Sequence, residues 1–93
     1  MGMVGMGDMM NKKRLEYYSA EWCGPCKAYK PTIQKLKDEG MAITIYDIDR
    51  DTEMTEKAGI MSVPTTIIYK DGEVLERLVG IQSKENIEYL MSE

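Results

Sequence analysis

Two cysteines separated by two residues, in Trp22-Cys23-Gly24-Pro25-Cys26-Lys27, are the only thiols of the chain and form a redox-capable pair. The chain has no histidine and no third cysteine, and this stretch also holds its single tryptophan. A Cys-x-x-Cys pair at the start of a helix sets its sulfurs one turn apart, close enough to alternate between dithiol and disulfide. Of the two, Cys23 is expected to attack, because a thiolate at a helix start faces unpaired N–H groups and the positive end of the macrodipole. Cys26, one turn further in and more buried, is expected to stay a thiol until it resolves the mixed disulfide. Metal ligation is the competing use of such a pair. With two cysteines and no histidine a closed four-ligand zinc site cannot form in one chain, so a cluster bridging a dimer would be needed.

The neighbouring residues supply the elements that hold the pair. Leu15-Glu16-Tyr17-Tyr18 is a short aromatic β-strand that stops at Ser19-Ala20-Glu21. From Cys23 to about Glu39, the residues Cys26, Tyr29, Ile33 and Leu36 recur at helical spacing before Gly40. Pro25 falls in the first turn, where its missing N–H costs nothing, whereas Pro31 falls inside and is expected to kink the helix. Met41 to Tyr46 forms a second strand and Asp51 to Gly59 a short helix with an acidic start and a glycine stop. Thr65 to Tyr69 and Val74 to Val79 flank Lys70-Asp71-Gly72-Glu73, a two-residue hairpin signal. Ser83 then caps a last helix whose apolar face is Ile87, Leu90 and Met91. The order βαβ, α, ββα implies an α/β chain with a four-stranded mixed sheet and helices on both faces.

Bulk properties narrow the function. The 93 residues, 43% of them hydrophobic, make one modest core. A net charge of −4, with basic and acidic residues interspersed, argues against a nucleic-acid partner. No apolar run approaches the ~20 residues that cross a bilayer, and no leader of signal-peptide form opens the chain, so no membrane and a cytoplasmic, reducing location are expected. Residues 1–11, opening with Met-Gly-Met-Val-Gly-Met-Gly-Asp-Met-Met, are read as a disordered leader or cloning-derived segment, and residues 12–93 as one domain.

Ala20 to Lys27, Val63-Pro64-Thr65, Lys70 to Val74, Val79-Gly80 and the mid-helix Pro31 together resemble the thioredoxin family, in register from Leu15 onward. The resemblance implies a thioredoxin fold, here short and glutaredoxin-sized, without the usual N-terminal strand and helix, so that Ala42 to Tyr46 lies at a sheet edge. It implies a protein disulfide reductase and electron carrier in cell redox homeostasis, cycling a Cys23–Cys26 disulfide. It further implies that no cofactor is bound and that electrons come from NADPH through a flavoprotein reductase. The expected partners are that reductase and disulfide-containing proteins, and the expected state is a monomer. Gly24-Pro25 between the cysteines carries no cation, which goes with a low reduction potential, about −270 mV for the family. Gly24, Pro25 and Lys27 support the site, and a cis bond at Val63-Pro64 sits against the cysteines. Trp22, Val63, Pro64 and Gly80 form the substrate surface, while Ile48, Met61, Val79 and Ile81 serve either docking or packing.

Two alternatives remain at this stage. One is a glutaredoxin-like donor reduced by glutathione, against which Gly24-Pro25 and the lone Gly80 speak; the other is the dimer-bridging metal cluster. One departure from the family concerns proton transfer. Its buried aspartate behind the cysteines corresponds to Tyr17, and the lysine partner of that aspartate to Ile45. Glu21 and Asp47 are expected to be solvated.

Overall fold

The computed structural model describes residues 13–92. The expected leader at residues 1–11 lies outside them. Four strands, β1 (Lys13–Ser19), β2 (Ile43–Asp47), β3 (Thr65–Lys70) and β4 (Glu73–Val79), alternate with three helices, α1 (Gly24–Asp38), α2 (Thr52–Ala58) and α3 (Lys84–Met91). The sheet order is β2-β1-β3-β4, with β1 parallel to β2 and antiparallel to β3, and β3 antiparallel to β4. This is the expected mixed sheet, with β2 at one edge. β1 is longer than the run Leu15 to Tyr18, because Lys13 and Arg14 find ladder partners in Lys70 and Tyr69. β2 begins at Ile43 rather than Met41 and extends to Asp47, the register partner of Ser19.

Strand alternation assigns the two faces. Leu15 and Tyr17 of β1, Ile43 and Ile68 pack under Tyr29, Ile33 and Leu36 of α1 and Ile87 of α3 in one buried cluster. Tyr17 and Tyr29 meet edge to face there, with centroids 5.3 Å apart. The intervening residues Glu16 and Tyr18 point to the opposite face, where Tyr18 stacks on Tyr46 at 4.9 Å. Arg77, opposite Ile67 on that face, donates to the carbonyls of Ala58 and Gly59 and so ties the end of α2 to the sheet. Helices therefore cover both faces, α1 and α3 on one and α2 on the other.

Local chemistry sets the junctions. Asp71 and Gly72 both have positive φ, 56° and 86°, which is the pairing a two-residue hairpin needs to follow the strand twist. Ser83 Oγ accepts from the Asn86 N–H at 3.0 Å and opens α3. Helix α1 runs unbroken through Pro31, whose missing N–H cannot donate to the Lys27 carbonyl one turn back.

Two outcomes test this core. Ile33, fully buried beneath α1, should cost about 2–5 kcal/mol when truncated in Ile33→Ala, read as a shifted denaturant midpoint with an unchanged slope. Burial raises the phenols of Tyr17 and Tyr29 above the ordinary value of 10.0. Their contribution is therefore complete below that value and fades as pH rises through the folded-state values. Between pH about 9 and about 12 the Tyr29→Phe chain should lose less stability than the parent.

Candidate functional site

The end of β1 and the start of α1 are joined by the turn at Ala20 to Trp22, where the Cys23 N–H donates to the Ala20 carbonyl at 3.2 Å. Cys23 is the N-cap of α1, with extended backbone, and its Sγ accepts from the Cys26 N–H at 3.1 Å. Sulfur here takes the place usually held by a serine or aspartate oxygen. Pro25 falls in the first turn as expected. Cys23 and Cys26 form a disulfide with Cα atoms 5.2 Å apart, and both residues are buried.

The register brings the remaining residues to the same end of the sheet, since Tyr18 pairs with Thr65 and Thr65 with Val79. The Val63–Pro64 bond is cis. The Val63 carbonyl oxygen lies 3.8 Å from Cys23 Sγ, and the Pro64 oxygen accepts from the Gly80 N–H at 2.8 Å. Gly80 has φ of 95°, a backbone that a larger residue would strain. Ala20, Cys23 and Cys26 form a small buried cluster against which Ile48 and Val63 pack. Around it Trp22 is 66% exposed, Met61 96%, Val79 63% and Ile81 53%. Of the four apolar residues open to either use, Ile48 is therefore packing, whereas Met61, Val79 and Ile81 are surface.

Trp22, Cys23, Cys26, Val63, Pro64 and Gly80 thus converge, with Gly24 and Pro25 exposed on the first turn of α1 and Lys27 on the side of the helix. One contact beside the cysteines was not legible in the sequence, and a polar group on the far face went unread. Trp22 Nε1 donates to Asp49 Oδ2 at 2.8 Å, across 27 residues that no local spacing connects. On the far face the buried Glu16 accepts from Arg14 at 2.7 Å and from the Tyr18 hydroxyl at 3.0 Å. The alternation Arg14, Glu16, Tyr18 along one strand face could have revealed that group.

Behind Cys26 lies a recess of about 450 Å³ between the ends of β1 and β2 and the first turns of α1. Tyr17 forms part of its wall and donates its hydroxyl to the Cys26 carbonyl at 3.3 Å. Burial, partly opposed by Ser19, pushes that phenol above its ordinary value. Tyr17 therefore steadies the helix start and does not take up protons at neutral pH. Its register partner Ile45 is apolar. Asp47 is not simply solvated: its Oδ1 accepts from the Asp49 N–H at 2.8 Å and the Arg50 N–H at 3.3 Å. Glu21 is exposed as expected.

Residues 8–93 match the family model described as Thioredoxin. The thioredoxin of Chlamydia muridarum is 42% identical over 77 residues, covering 81% of this chain and 76% of that protein. That of Bacillus subtilis is 41% identical over 76 residues, covering 78% and 73%. Among solved structures, a mutant thioredoxin from Halobacterium salinarum NRC-1 superposes with a TM-score of 0.78 at 27% identity, covering 98% of this chain and 81% of that one. The chain belongs to the thioredoxin family, and its Cys23–Cys26 pair is that of a dithiol–disulfide oxidoreductase, a protein disulfide reductase.

Proposed function

We propose that residues 12–93 act as a monomeric cytoplasmic domain that reduces disulfides of protein substrates, with Cys23 attacking and Cys26 resolving. The observation that carries this division of labour is the Cys23 sulfur at the N-cap, accepting the Cys26 N–H at 3.1 Å. In the reduced protein that N–H and the macrodipole favour the Cys23 thiolate, which attacks one sulfur of the substrate disulfide and releases the other as a thiolate. Cys26 then gives up its proton and attacks Cys23 Sγ, breaking the mixed disulfide and freeing the second substrate thiolate. Two electrons pass to the substrate, and the protein is left as the disulfide.

Trp22, Val63, Pro64 and Gly80 form the substrate surface in this reading. The Val63 carbonyl beside the sulfur offers an acceptor to an extended substrate segment. Exposed Met61, Val79 and Ile81 continue the apolar rim. Gly24 and Pro25 shape the first turn of α1, and Lys27 adds charge beside it. Gly24-Pro25 brings no cation to stabilise the reduced form further, which supports a low potential and a reductive direction.

No bound cofactor is required, and we assign the electron supply to NADPH through a flavoprotein reductase. Among the described residues no helix is long and apolar enough to cross a membrane, and the net charge of −4 gives no basic face for nucleic acid.

With dithiothreitol as donor, insulin reduction should fall to background in both Cys23→Ser and Cys26→Ser. Loss in the first variant alone contradicts the two-thiol scheme. Turnover should be supported by NADPH with a thioredoxin reductase and only weakly by glutathione; the reverse order contradicts the assigned donor. Because Tyr17 is a poor base, Tyr17→Asp should speed resolution of the mixed disulfide at neutral pH by about tenfold, while an unchanged rate contradicts proton removal as the slow event.

A further inference from the structure

Resolution of the mixed disulfide requires Cys26 to lose a proton, yet Cys26 is only 3% exposed. Burial disfavours the thiolate, so the proton needs an acceptor that Cys26 can reach. The wall formed by β1 and β2 supplies none directly. Tyr17 spends its hydroxyl on the Cys26 carbonyl, and Ile45 beside it is apolar. What reaches Cys26 is the recess of about 450 Å³, roomy and polar enough to hold several waters.

Two carboxylates line this recess, Glu21 and Asp47, together with the cations of Lys27, Lys30 and Arg50. The carboxylates are held differently. Glu21 is exposed on the turn before the motif. Asp47 is half-buried at the end of β2, and two backbone N–H groups fix its Oδ1. Its own N–H donates to Asp51 Oδ2 at 2.9 Å, so the strand end that carries it is anchored as well. The carboxylates of Asp49 and Asp51 follow it in the chain and are engaged elsewhere, Asp49 Oδ2 by Trp22 Nε1 and Asp51 Oδ2 by the Asp47 N–H. A fixed carboxylate on a polar recess is better placed to receive a proton than a mobile one, because its geometry is set before the reaction.

We propose that Asp47 accepts the Cys26 proton through water in this recess, standing in from β2 for an acid that β1 does not provide. The Cys26 S–H bond gives its proton to water, water gives one to the Asp47 carboxylate, and the Cys26 electron pair forms the bond to Cys23 Sγ as the substrate thiolate leaves. Asp47 then returns the proton to bulk solvent. Asp47 is a positioning and relay residue, since it does not touch the reacting sulfurs. The assignment rests on the two-thiol scheme proposed above.

Stopped-flow mixing of the reduced protein with limiting dithionitrobenzoate separates the two events. A concentration-dependent phase reports attack by Cys23, and a concentration-independent phase reports resolution by Cys26. Asp47→Asn keeps an oxygen for the Asp49 and Arg50 N–H groups. It should leave the first phase unchanged and slow the second about tenfold at neutral pH, less than a direct general base supplies because water intervenes. The deficit should shrink as pH rises and hydroxide takes over, Asp47→Glu should recover part of the rate, and Glu21→Gln should resolve like the parent. A second phase at the parent rate in Asp47→Asn, an equal deficit in Glu21→Gln, a deficit independent of pH, or a parallel slowing of both phases overturns the assignment. Release of only one aromatic thiolate per reagent molecule by the parent protein overturns the two-thiol scheme itself, and this assignment with it.

Discussion

The structure depends on one hydrogen bond in which a sulfur does the work of a capping oxygen. The opening turn of a helix presents backbone N–H groups without helical partners, and α1 satisfies the Cys26 N–H with Cys23 Sγ. A serine would cap the helix as well and do no redox chemistry. Placing the sulfur there couples helix formation to thiolate stabilisation, because both draw on the same N–H groups and dipole. The cap holds its position because the rest of α1 is pinned, with Tyr29, Ile33 and Leu36 buried over Leu15 and Tyr17. Since β1 lies inside the sheet, its last residues are flanked by the ends of β2 and β3. The edge of the site is thus a consequence of strand order.

The cysteine pair consequently has two unlike surroundings. In front, the Val63 carbonyl oxygen lies 3.8 Å from Cys23 Sγ. Behind, a polar recess reaches Cys26. The proposed scheme places different demands on the two thiols: the first is to be ionised, whereas the second is to stay protonated until its partner is engaged. Tyr17 belongs to the rear side. Its hydroxyl is directed at the Cys26 carbonyl and burial holds it neutral, so it fixes the helix start without entering proton transfer.

Much of this was legible from residue order because the signals are local. The Cys-x-x-Cys spacing, the Asp71-Gly72 turn, the Ser83 cap and the helical recurrence of Cys26, Tyr29, Ile33 and Leu36 each fall within a few residues, and each formed as read. Strand limits were less legible, since Lys13, Arg14 and Asp47 join the ladder only because partners are present across the sheet. Contacts made by the fold alone were not legible at all. The Trp22–Asp49 bond crosses 27 residues, and the recess behind Cys26 gathers groups from β1, β2, α1 and the connecting turns. Whether Ile48, Met61, Val79 and Ile81 are packed or exposed also waited for the fold, because an apolar residue at a strand end is equally consistent with either.

The capping geometry should make Cys23 the ionised thiol of the pair. Ultraviolet thiolate absorbance of the reduced protein, followed against pH with Cys23→Ser and Cys26→Ser as references, measures this directly. One thiolate should appear well below the ordinary thiol range of about 8.5, present in Cys26→Ser and absent in Cys23→Ser. Two thiols titrating together at or above that range, or an early thiolate that persists in Cys23→Ser, contradicts it.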